Sequence, residues 1–314
     1  MSRVVVIANP VASQFTGGGH RRVMSVLSRA HERVDATWPA DPAATSAAAA
    51  EAAESGASVV VAMGGDGMVH HVAQGLAGTA TALGVIPVGT TNVIARLLGV
   101  PGRATRAARL IASGVDPGLL GTVRLTLRHG TIETVQHALF ACGFGLDALV
   151  VDRADADPYR KYRFGSLHYA RTALGVALGG FPGIKAHVEV VEDGRRARGV
   201  SIQVQFREVY TYFGKVPVRI APGCPEPMTV LVMERLRRRR LPRIVSRLLT
   251  QQGLIEVPEM EVWEEVKAFE LTADPSVAAQ ADGEALGLVD SARVEWAPNS
   301  LRVIKGRSID RTPG

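Results

Sequence analysis

A chain of 314 residues with 46% hydrophobic and 21% charged residues has an ordinary globular balance, and it is long enough for two domains. Its 36 Lys and Arg against 30 Asp and Glu leave a net charge of +6, which favours anionic partners such as nucleotides, nucleic acid or an acidic membrane surface. The two cysteines, Cys142 and Cys224, are too few for a disulfide framework, and no apolar segment reaches membrane-spanning length. Because the N-terminus lacks a signal-peptide pattern, we expect a cytoplasmic protein.

The first third of the chain alternates apolar runs with helical patterns, which is typical of a parallel three-layer α/β domain. Runs rich in Val and Ile predict buried strands at residues 4–8, 58–63 and 83–88. Helical spacing predicts helices at residues 20–31, 43–55, 68–76 and 93–98. Residues 11–19 contain three consecutive glycines, and we expect them to form a mobile loop.

A polar turn follows each of these predicted strands. The turns are Asn9-Pro10, Gly64-Gly65-Asp66-Gly67 and Gly89-Thr90-Thr91-Asn92. The carboxyl ends of parallel strands lie at one edge of the sheet, where ligands collect. A strand, a glycine turn and a helix in succession aim free backbone N–H groups at a phosphate. We therefore expect one phosphate site at this edge; the alternative for the second turn is a plain βα connection with Asp66 as a helix cap.

Asp66 is the only charged residue in these three turns. A carboxylate repels a bare phosphate but binds Mg²⁺, which nucleotide phosphates carry into kinase and ATPase sites. The turn therefore predicts a phosphate ligand that brings Mg²⁺ with it, with Asp66 on the metal side.

The pattern changes to β-rich after about residue 121. Residues 123–127 and 131–135 alternate on either side of His129-Gly130 and predict an antiparallel hairpin. Residues 147–180 look mostly helical, and further strands are predicted at residues 138–143, 186–191, 199–206, 228–233 and 267–272. We therefore expect an α/β domain at residues 1–120 and a β-rich domain at residues 121–298. The apolar tail within residues 299–314 is expected to return to the first domain.

The segment Ala281-Asp282-Gly283-Glu284 brings two carboxylates close together near the end of the chain. Phosphoryl transfer to an alcohol needs a carboxylate near the reacting hydroxyl. In an extended segment residues i and i+2 face the same side, so both carboxylates can point into one site. The alternative is a hairpin turn, because Asp-Gly is a common turn dipeptide.

Together, Asn9-Pro10, GGDG at residue 64, GTTN at residue 89 and DGE at residue 282 resemble the diacylglycerol kinase catalytic family, which includes bacterial lipid kinases and sphingosine kinases. The more distant NAD kinases share the GGDG turn. The resemblance also takes in Gly145-Leu146-Asp147-Ala148 and Ala221-Pro222-Gly223.

This resemblance implies an α/β nucleotide domain, a C-terminal β-sandwich and an active site in the cleft between them, with ATP and Mg²⁺ as cofactors. It implies that either Asp282 or Glu284 is the base, with Asp66 as a further catalytic residue that holds Mg²⁺ through the nucleotide. The nucleotide-binding residues that it implies are Asn9, Pro10, Thr37, Gly64, Gly65, Asp66, Gly67, His71, Gly89, Thr90, Thr91 and Asn92.

The chain departs from the family pattern at three places. Met68 stands where the family usually has Thr, and His71 stands where it usually has Glu. Since that Glu helps to position the nucleotide, we expect His71 to tune the choice of nucleotide. The acidic loop that usually follows Gly223 is replaced by residues 224–227, so a structural Mg²⁺ site found in some relatives would lose its ligands here.

The run RLRRRRLPR, from Arg235 to Arg243, is the densest charge cluster in the chain. Apolar residues follow it, which suits an anionic membrane surface. A solvated basic helix face is the alternative, and nucleic acid is not expected because no aromatic residues interleave the arginines. The motif GFGLDA at residues 143–148 matches a dinucleotide fingerprint, but it lies in the β-rich half and is read as structural.

The sequence therefore favours an ATP- and Mg²⁺-dependent kinase that phosphorylates the hydroxyl of diacylglycerol or a related lipid. Two alternatives stay open: a kinase for another hydroxyl acceptor, and a non-catalytic nucleotide- or lipid-binding protein on the same fold. The identity of the lipid and the oligomeric state, a homodimer included, are also open.

Overall fold

The computed structural model describes residues 2–155, 185–191, 193–213, 216–223 and 227–306, together with residues 172, 175, 176 and 179. Most of the helical stretch expected at residues 147–180 lies outside these residues, as do Cys224 and the two residues after it. The chain forms two compact units. Unit 1 comprises Met1–Thr122 and Pro298–Gly314, and unit 2 comprises Val123–Ala297.

Unit 1 is built on a parallel sheet whose strand order is β2-β1-β3-β4. Its strands are β1 (Arg3–Ala8), β2 (Arg33–Thr37), β3 (Val59–Gly64) and β4 (Ala82–Pro87). Every residue of β3 and β4 is buried, as the unbroken apolar runs predict. The end of the last strand of the chain joins this sheet, since Arg302 and Val303 pair in parallel with Ala82 and Leu83.

Helices cover both faces of this sheet. They are α1 (Gly17–Leu27), α2 (Pro42–Glu54), α3 (Asp66–Leu76), α4 (Val93–Leu97) and α5 (Ala104–Ala112). Right-handed crossovers place α1 on one face and α2 and α3 on the other. α1 packs against α5, and α2 packs against α3. This is the predicted three-layer α/β architecture, and the winding direction reverses between β1 and β3.

The contact between α2 and α3 explains why α2 is so rich in alanine. A side chain on Gly75 of α3 would collide with the backbone of α2 at Ser46 and Ala50. Only small residues on both helices allow this approach, and Ser46 uses it to donate a hydrogen bond from Oγ to the carbonyl of His71, at 2.9 Å. The close packing fixes the orientation of α3, whose N-terminus lies at the polar edge of the sheet.

Three sequence predictions for unit 1 were wrong in detail. Residues 17–19 are not a mobile loop but the first turn of α1, because the Thr16 hydroxyl accepts a hydrogen bond from the Gly19 N–H at 3.0 Å and caps the helix. α3 begins at Asp66, two residues earlier than expected. β2 was missed because it is an edge strand with no fully buried residue, so no apolar run marks it.

Unit 2 is mainly antiparallel, and its central strand order is β14-β13-β10-β7-β15-β16. Its strands, two of which begin or end in unit 1, are β5 (Gly118–His129), β6 (Ile132–Ala138), β7 (Ala141–Gly145), β8 (Ala186–Val190), β9 (Arg196–Gly199), β10 (Ser201–Gln205), β11 (Thr211–Phe213), β12 (Val216–Val218), β13 (Thr229–Met233), β14 (Met260–Trp263), β15 (Ala268–Ala281) and β16 (Glu284–Val303). Among the described residues, its helices with defined bounds are α6 (Leu146–Asp155), a 3-10 turn (Arg238–Arg240) and α7 (Leu241–Leu249).

The core of unit 2 contains Phe144, Phe206 and Phe269, all almost completely buried. The predicted β5–β6 hairpin is present, with its turn one residue later than expected because His129 pairs with Ile132. Cys142 is buried in this core. In the part of the chain that the structure describes, no helix has the length and apolarity needed to cross a membrane.

Candidate active site

The three polar turns of unit 1 meet at the carboxyl edge of its sheet, where the winding direction reverses. Asn9 continues the pairing beyond β1, donating its N–H to the carbonyl of Met63 at 3.0 Å. Val88 does the same beyond β4, donating to the carbonyl of Gly64 at 3.0 Å. In doubly wound sheets this reversal point is where ligands bind. The structure therefore brings together the predicted turns that begin at Asn9, Gly64 and Gly89.

Two of these turns are in direct backbone contact. A Cβ atom on Gly89 would lie 2.5 Å from the Cα of Gly65 and 2.9 Å from Oδ1 of Asn92. Real Cβ atoms do not approach other atoms so closely, so any larger residue at position 89 would push the turns apart. The glycines thus serve the packing of one turn on the other, in addition to the close ligand approach expected from the sequence.

The two asparagine side chains shape their own turns. Asn92 accepts the Gly89 N–H on Oδ1 at 3.1 Å and donates from Nδ2 to the Gly89 carbonyl at 2.8 Å. Asn9 accepts the Val11 N–H on Oδ1 at 3.0 Å. Asn92 also has a φ of 51°, in the left-handed region that asparagine tolerates. The amides that sequence reasoning assigned to the ligand therefore hold the turns closed.

The N-terminus of α3 has no side-chain cap. The residue before the helix is Gly65, which has no side chain to cap the first turn. A helix N-terminus presents backbone N–H groups and the positive end of the helix dipole, which together can bind phosphate. Asp66 lies in this first turn and brings the one carboxylate of the three turns. An uncapped glycine-flanked helix start with one carboxylate fits a phosphate that carries Mg²⁺ better than a bare phosphate.

The carboxylate of Asp66 also joins two of the turns. Its Oδ1 accepts a hydrogen bond from the backbone N–H of Ile94 at 2.9 Å. Ile94 is the second residue of α4, a helix whose preceding residue, Asn92, does not cap it. Asp66 thus caps a neighbouring helix as well as lying at the carboxyl edge of the sheet, and no sequence spacing could reveal this capping role.

Two residues that sequence reasoning missed line the same edge. Gln14 donates its N–H to the carbonyl of Val88 at 2.8 Å and its Nε2 to the carbonyl of Gly89 at 2.7 Å. The Ser13 and Thr90 hydroxyl oxygens lie 3.1 Å apart. The one sequence signal for them is a Ser-Gln pair shortly after Asn9-Pro10, inside a segment that was read as a loop.

The remaining predicted residues lie at the border of this edge. Thr90 is exposed and Thr91 is half-buried. Pro10 is exposed beyond β1, and Gly67 lies in the first turn of α3. Thr37 is the last residue of β2 and pairs with Ile7, so it lies on the far side of β1 from β3.

His71 lies in the second turn of α3 and is half-buried. At 100° per residue, its position is about 140° around the helix from Asp66. Its ring packs edge-on against that of His70, with centroids 5.1 Å apart. The helix geometry thus places His71 on a different side of α3 from Asp66, and its expected effect on the nucleotide stays a prediction.

In unit 2, Asp282 and Gly283 form the tight turn between β15 and β16. Ala281 pairs with Glu284 across the turn, and the φ values are 54° for Asp282 and 81° for Gly283. Both positive values match the turn that Asp-Gly favours in two-residue hairpins. The expectation that Asp282 and Glu284 share a face of an extended segment was therefore wrong, and the hairpin alternative is correct.

The Asp282 carboxylate is buried, with only 3% of the residue exposed, and it organises the backbone in front of β7. Its oxygens accept hydrogen bonds from three consecutive N–H groups: Leu139 at 2.8 and 3.0 Å, Phe140 at 2.9 Å and Ala141 at 3.3 Å. Asp282 thus holds the start of β7 against the hairpin turn. Glu284, by contrast, is half-buried at the first position of β16.

A buried polar network supports this turn from the other side. Gln280 accepts the Gly283 N–H on Oε1 at 3.1 Å and donates from Nε2 to Oδ2 of Asp147 at 2.7 Å. The Tyr210 hydroxyl donates to the same Asp147 oxygen at 2.7 Å. Burial raises the pKa of Asp147, and burial together with the neighbouring Asp147 charge raises the pKa of Tyr210 well above its usual value.

Sequence reasoning missed this network, although Asp147 lies in one of the motifs that carried the family resemblance. A side chain on Gly143 would collide with the Asp147 carboxylate, so the glycine of the apparent dinucleotide motif makes room for a carboxylate of the protein itself. This contact gives GFGLDA a structural role. Among the described residues, no group of three or more His, Cys, Asp and Glu side chains forms a metal site.

Comparison with known proteins identifies both units. Residues 3–120 match the diacylglycerol kinase catalytic domain, and residues 141–305 match the YegS C-terminal NAD kinase beta sandwich-like domain. The two matches thus assign an α/β domain of the diacylglycerol kinase catalytic type and a β-sandwich-like domain. The chain belongs to the family of lipid kinases in which the diacylglycerol kinase catalytic domain precedes the YegS C-terminal domain.

Individual relatives support this family assignment. A diacylglycerol kinase from Mycobacterium tuberculosis is 39% identical over 106 residues, which cover 34% of this chain and 33% of that protein. A diacylglycerol kinase from Bacillus subtilis is 46% identical over 71 residues, which cover 22% of this chain and 23% of that protein. The chain thus spans a third or less of the length of the curated relatives that it matches.

Solved structures show the same fold along nearly the whole chain. A diacylglycerol kinase structure from Bacillus anthracis has a TM-score of 0.68 and 17% identity, and it covers 98% of both chains. An NAD kinase from Archaeoglobus fulgidus, solved in complex with ATP, has a TM-score of 0.53 and 14% identity, covering 98% of this chain and 94% of its own. The predicted relation to both kinase types is confirmed at the level of the fold.

Proposed function

We propose that this protein transfers the γ-phosphoryl group of ATP to the hydroxyl of diacylglycerol or a closely related lipid. The observation that carries the proposal is the uncapped N-terminus of α3, which begins with Asp66 beside the turn at Gly89. Membership of a lipid kinase family and relatives named diacylglycerol kinase support the choice of acceptor.

The nucleotide is held by unit 1. Backbone N–H groups at the start of α3 and the hydroxyls of Thr90 and Thr91 bind the phosphate oxygens without adding charge. Asp66 and the nucleotide phosphates would hold Mg²⁺, which would supply positive charge to neutralise the charge that develops during the transfer. The hydrogen bond from Ile94 fixes the orientation of the Asp66 carboxylate, so the carboxylate is already in position before the nucleotide arrives.

The acceptor hydroxyl is activated by Glu284. The oxygens of Asp282 already serve three backbone N–H groups, so Asp282 positions the turn and Glu284 is the residue that we assign as base. Glu284 takes the proton of the lipid hydroxyl while the hydroxyl oxygen bonds to the γ-phosphorus. The bond between the γ-phosphorus and its bridging oxygen breaks, and ADP leaves.

The experiment is a transfer assay with purified protein, γ-labelled ATP, Mg²⁺ and a panel of lipids in mixed micelles. We expect label to appear in the phosphorylated form of diacylglycerol or of a related lipid. Label in a soluble alcohol but in no lipid would show a kinase for another acceptor. Nucleotide binding without transfer to any acceptor would show a non-catalytic protein on this fold, and either result would overturn the proposal.

A further inference from the structure

Helix α7 presents an apolar face that the protein covers only in part: Leu241, Ile244 and Leu248 are half-buried, and Val245 and Leu249 are exposed. None of its nine residues is buried. Five of them are apolar, and at 100° per residue they form one stripe about 140° wide. Val245 is 48% exposed and Leu249 is 52% exposed. The stripe consists of Leu241, Ile244, Val245, Leu248 and Leu249.

The segment in front of α7 is basic, and its arginines divide into two groups. Arg237 and Arg240 approach the carboxylate of Glu259, at 3.4 and 3.5 Å, and tie the segment to unit 2. Arg235, Arg238 and Arg239 are exposed, and within the part of the chain that the structure describes no carboxylate lies within 4 Å of them. These three positive charges are left facing solvent.

The helix is nevertheless firmly attached. Arg247 donates from Nε to the carbonyl of Gly253 at 2.8 Å and forms an ion pair with Glu256 at 2.9 Å. Leu254, next to Gly253, is buried and donates its N–H to the carbonyl of Ile220 at 2.7 Å. The stripe is thus a fixed surface of unit 2, since the loop that follows α7 anchors it.

We propose that the α7 surface, defined as the apolar stripe of α7 together with Arg235, Arg238 and Arg239, docks onto an anionic lipid bilayer. Apolar side chains beside unpaired cations match the boundary between acyl chains and anionic headgroups. The inference deepens the proposed function and rests on it for its purpose, because the acceptor lipid resides in such a bilayer. Arg243 lies about 140° around the helix from the midpoint between the exposed Val245 and Leu249, so it lies on a different side of α7.

The test is sedimentation of the full chain, without nucleotide, with two kinds of vesicle. One kind is phosphatidylcholine alone, and the other is an equal mixture of phosphatidylcholine and phosphatidylglycerol. We expect binding to the anionic vesicles only, weakening steeply as salt rises because the headgroup charges are screened. Each arginine near an anionic surface contributes about fivefold in affinity, so changing Arg235, Arg238 and Arg239 together to Gln should weaken binding about 100-fold.

Two further variants separate the α7 surface from general positive charge. Val245→Ser with Leu249→Ser should weaken binding without changing the net charge, whereas Arg243→Gln, the matched control, should change it by less than about fivefold. All these positions lie on the surface, so the melting temperatures should stay unchanged. Turnover of a soluble short-chain diacylglycerol should also survive in all of them, which distinguishes a failed docking surface from a failed kinase assignment.

Several results would overturn the proposal. Equal binding to neutral and anionic vesicles would remove the role of the arginines, and unchanged binding in the triple Gln variant would do the same. Equal losses of vesicle binding in Arg243→Gln and in the Val245 and Leu249 double variant would show that binding depends on general positive charge and not on the α7 surface. Tight binding to a single-stranded oligonucleotide with no vesicle binding would assign the arginines to nucleic acid instead.

Discussion

The carboxylate of Asp66 and the backbone N–H of Ile94 form a hydrogen bond of 2.9 Å between the first turns of two different helices. The bond joins α3, which follows β3, to α4, which follows β4. It gives Asp66 a capping role that is separable from the Mg²⁺ role proposed for its charge, since the oxygen caps α4. The two roles make different demands on the side chain, because capping needs an acceptor oxygen and metal binding needs the charge.

Replacing Asp66 with Asn should separate these roles. Asn keeps an oxygen that can accept the Ile94 N–H, so we expect the melting temperature to stay close to that of the wild type while most turnover is lost. Asp66→Ala should also lose stability, by about 1–2 kcal/mol, because the N–H of α4 loses its cap. Thermal unfolding and turnover measured on the same preparations check both statements. Normal turnover in a normally folded Asp66→Asn variant would refute the assignment of Asp66.

Removing each of the two hairpin carboxylates should have a different effect: loss of Asp282 should lower stability, and loss of Glu284 should lower turnover. Asp282→Ala leaves three buried N–H groups without an acceptor, and at about 1 kcal/mol or more for each group we expect a loss of about 3 kcal/mol in unfolding free energy. Glu284→Gln keeps shape and size at a half-buried position, so its stability should be unchanged while turnover falls by at least about 100-fold, the contribution of a general base. Denaturant unfolding and initial rates measured on both variants provide the check. A stable, inactive Asp282 variant beside an active Glu284→Gln protein would reverse the assignment.

The sequence predicted the centre of unit 1 well because burial leaves a strong pattern there. β3 and β4 are continuous apolar runs that are buried along their whole length, and the turns at Gly64 and Gly89 follow them directly. β2 was missed because an edge strand has no need of an apolar run. The start of α1 was missed because consecutive glycines disfavour a helix, and the Thr16 cap that favours it there is a single side-chain contact.

The candidate site was predictable in its residue types but not in its hydrogen bonds. Asp66 and Glu284 were singled out by charge and position, whereas the capping of Ile94 by Asp66 joins residues 28 positions apart. Asp282 was placed in an extended segment because carboxylate pairs suggest shared chemistry, although the Asp-Gly dipeptide favours a turn. Its partners, Leu139 to Ala141, lie more than 140 positions away, and no local pattern marks them.

The raised pKa of Asp147 predicts a pH dependence of stability. Burial favours the protonated form of Asp147 in the folded protein, so its contribution to stability is fully present below the pKa of an unfolded aspartate and is lost as pH rises through the folded pKa. Asp147→Asn removes this titration and keeps an oxygen for Tyr210 and Gln280. The difference in melting temperature between Asp147→Asn and the wild type should therefore shift in favour of the variant as pH rises from acidic to neutral. A difference in melting temperature that does not change with pH would contradict the prediction.

His71 is predicted to tune the nucleotide rather than to perform the chemistry. A neutral imidazole accepts one hydrogen bond, whereas the glutamate that the family usually carries there accepts several. His71→Glu should therefore change the apparent affinity for ATP, or the preference between ATP and GTP, and leave the acceptor preference alone. Two saturation curves for each protein, one varying nucleotide and one varying lipid, test this. A shift confined to the lipid curve would place His71 on the acceptor side.

The central claim is that this chain phosphorylates a lipid hydroxyl, with the nucleotide held at the three polar turns of unit 1 and with Glu284 as the base. The most direct measurement is the initial rate of label transfer from γ-labelled ATP to diacylglycerol in mixed micelles, for the wild type, Asp66→Asn and Glu284→Gln, with and without Mg²⁺. We predict Mg²⁺-dependent formation of labelled phosphatidic acid by the wild type, and its loss in both folded variants. Equal rates in all three proteins, or no transfer to any lipid by a wild-type protein that binds ATP, would contradict the account.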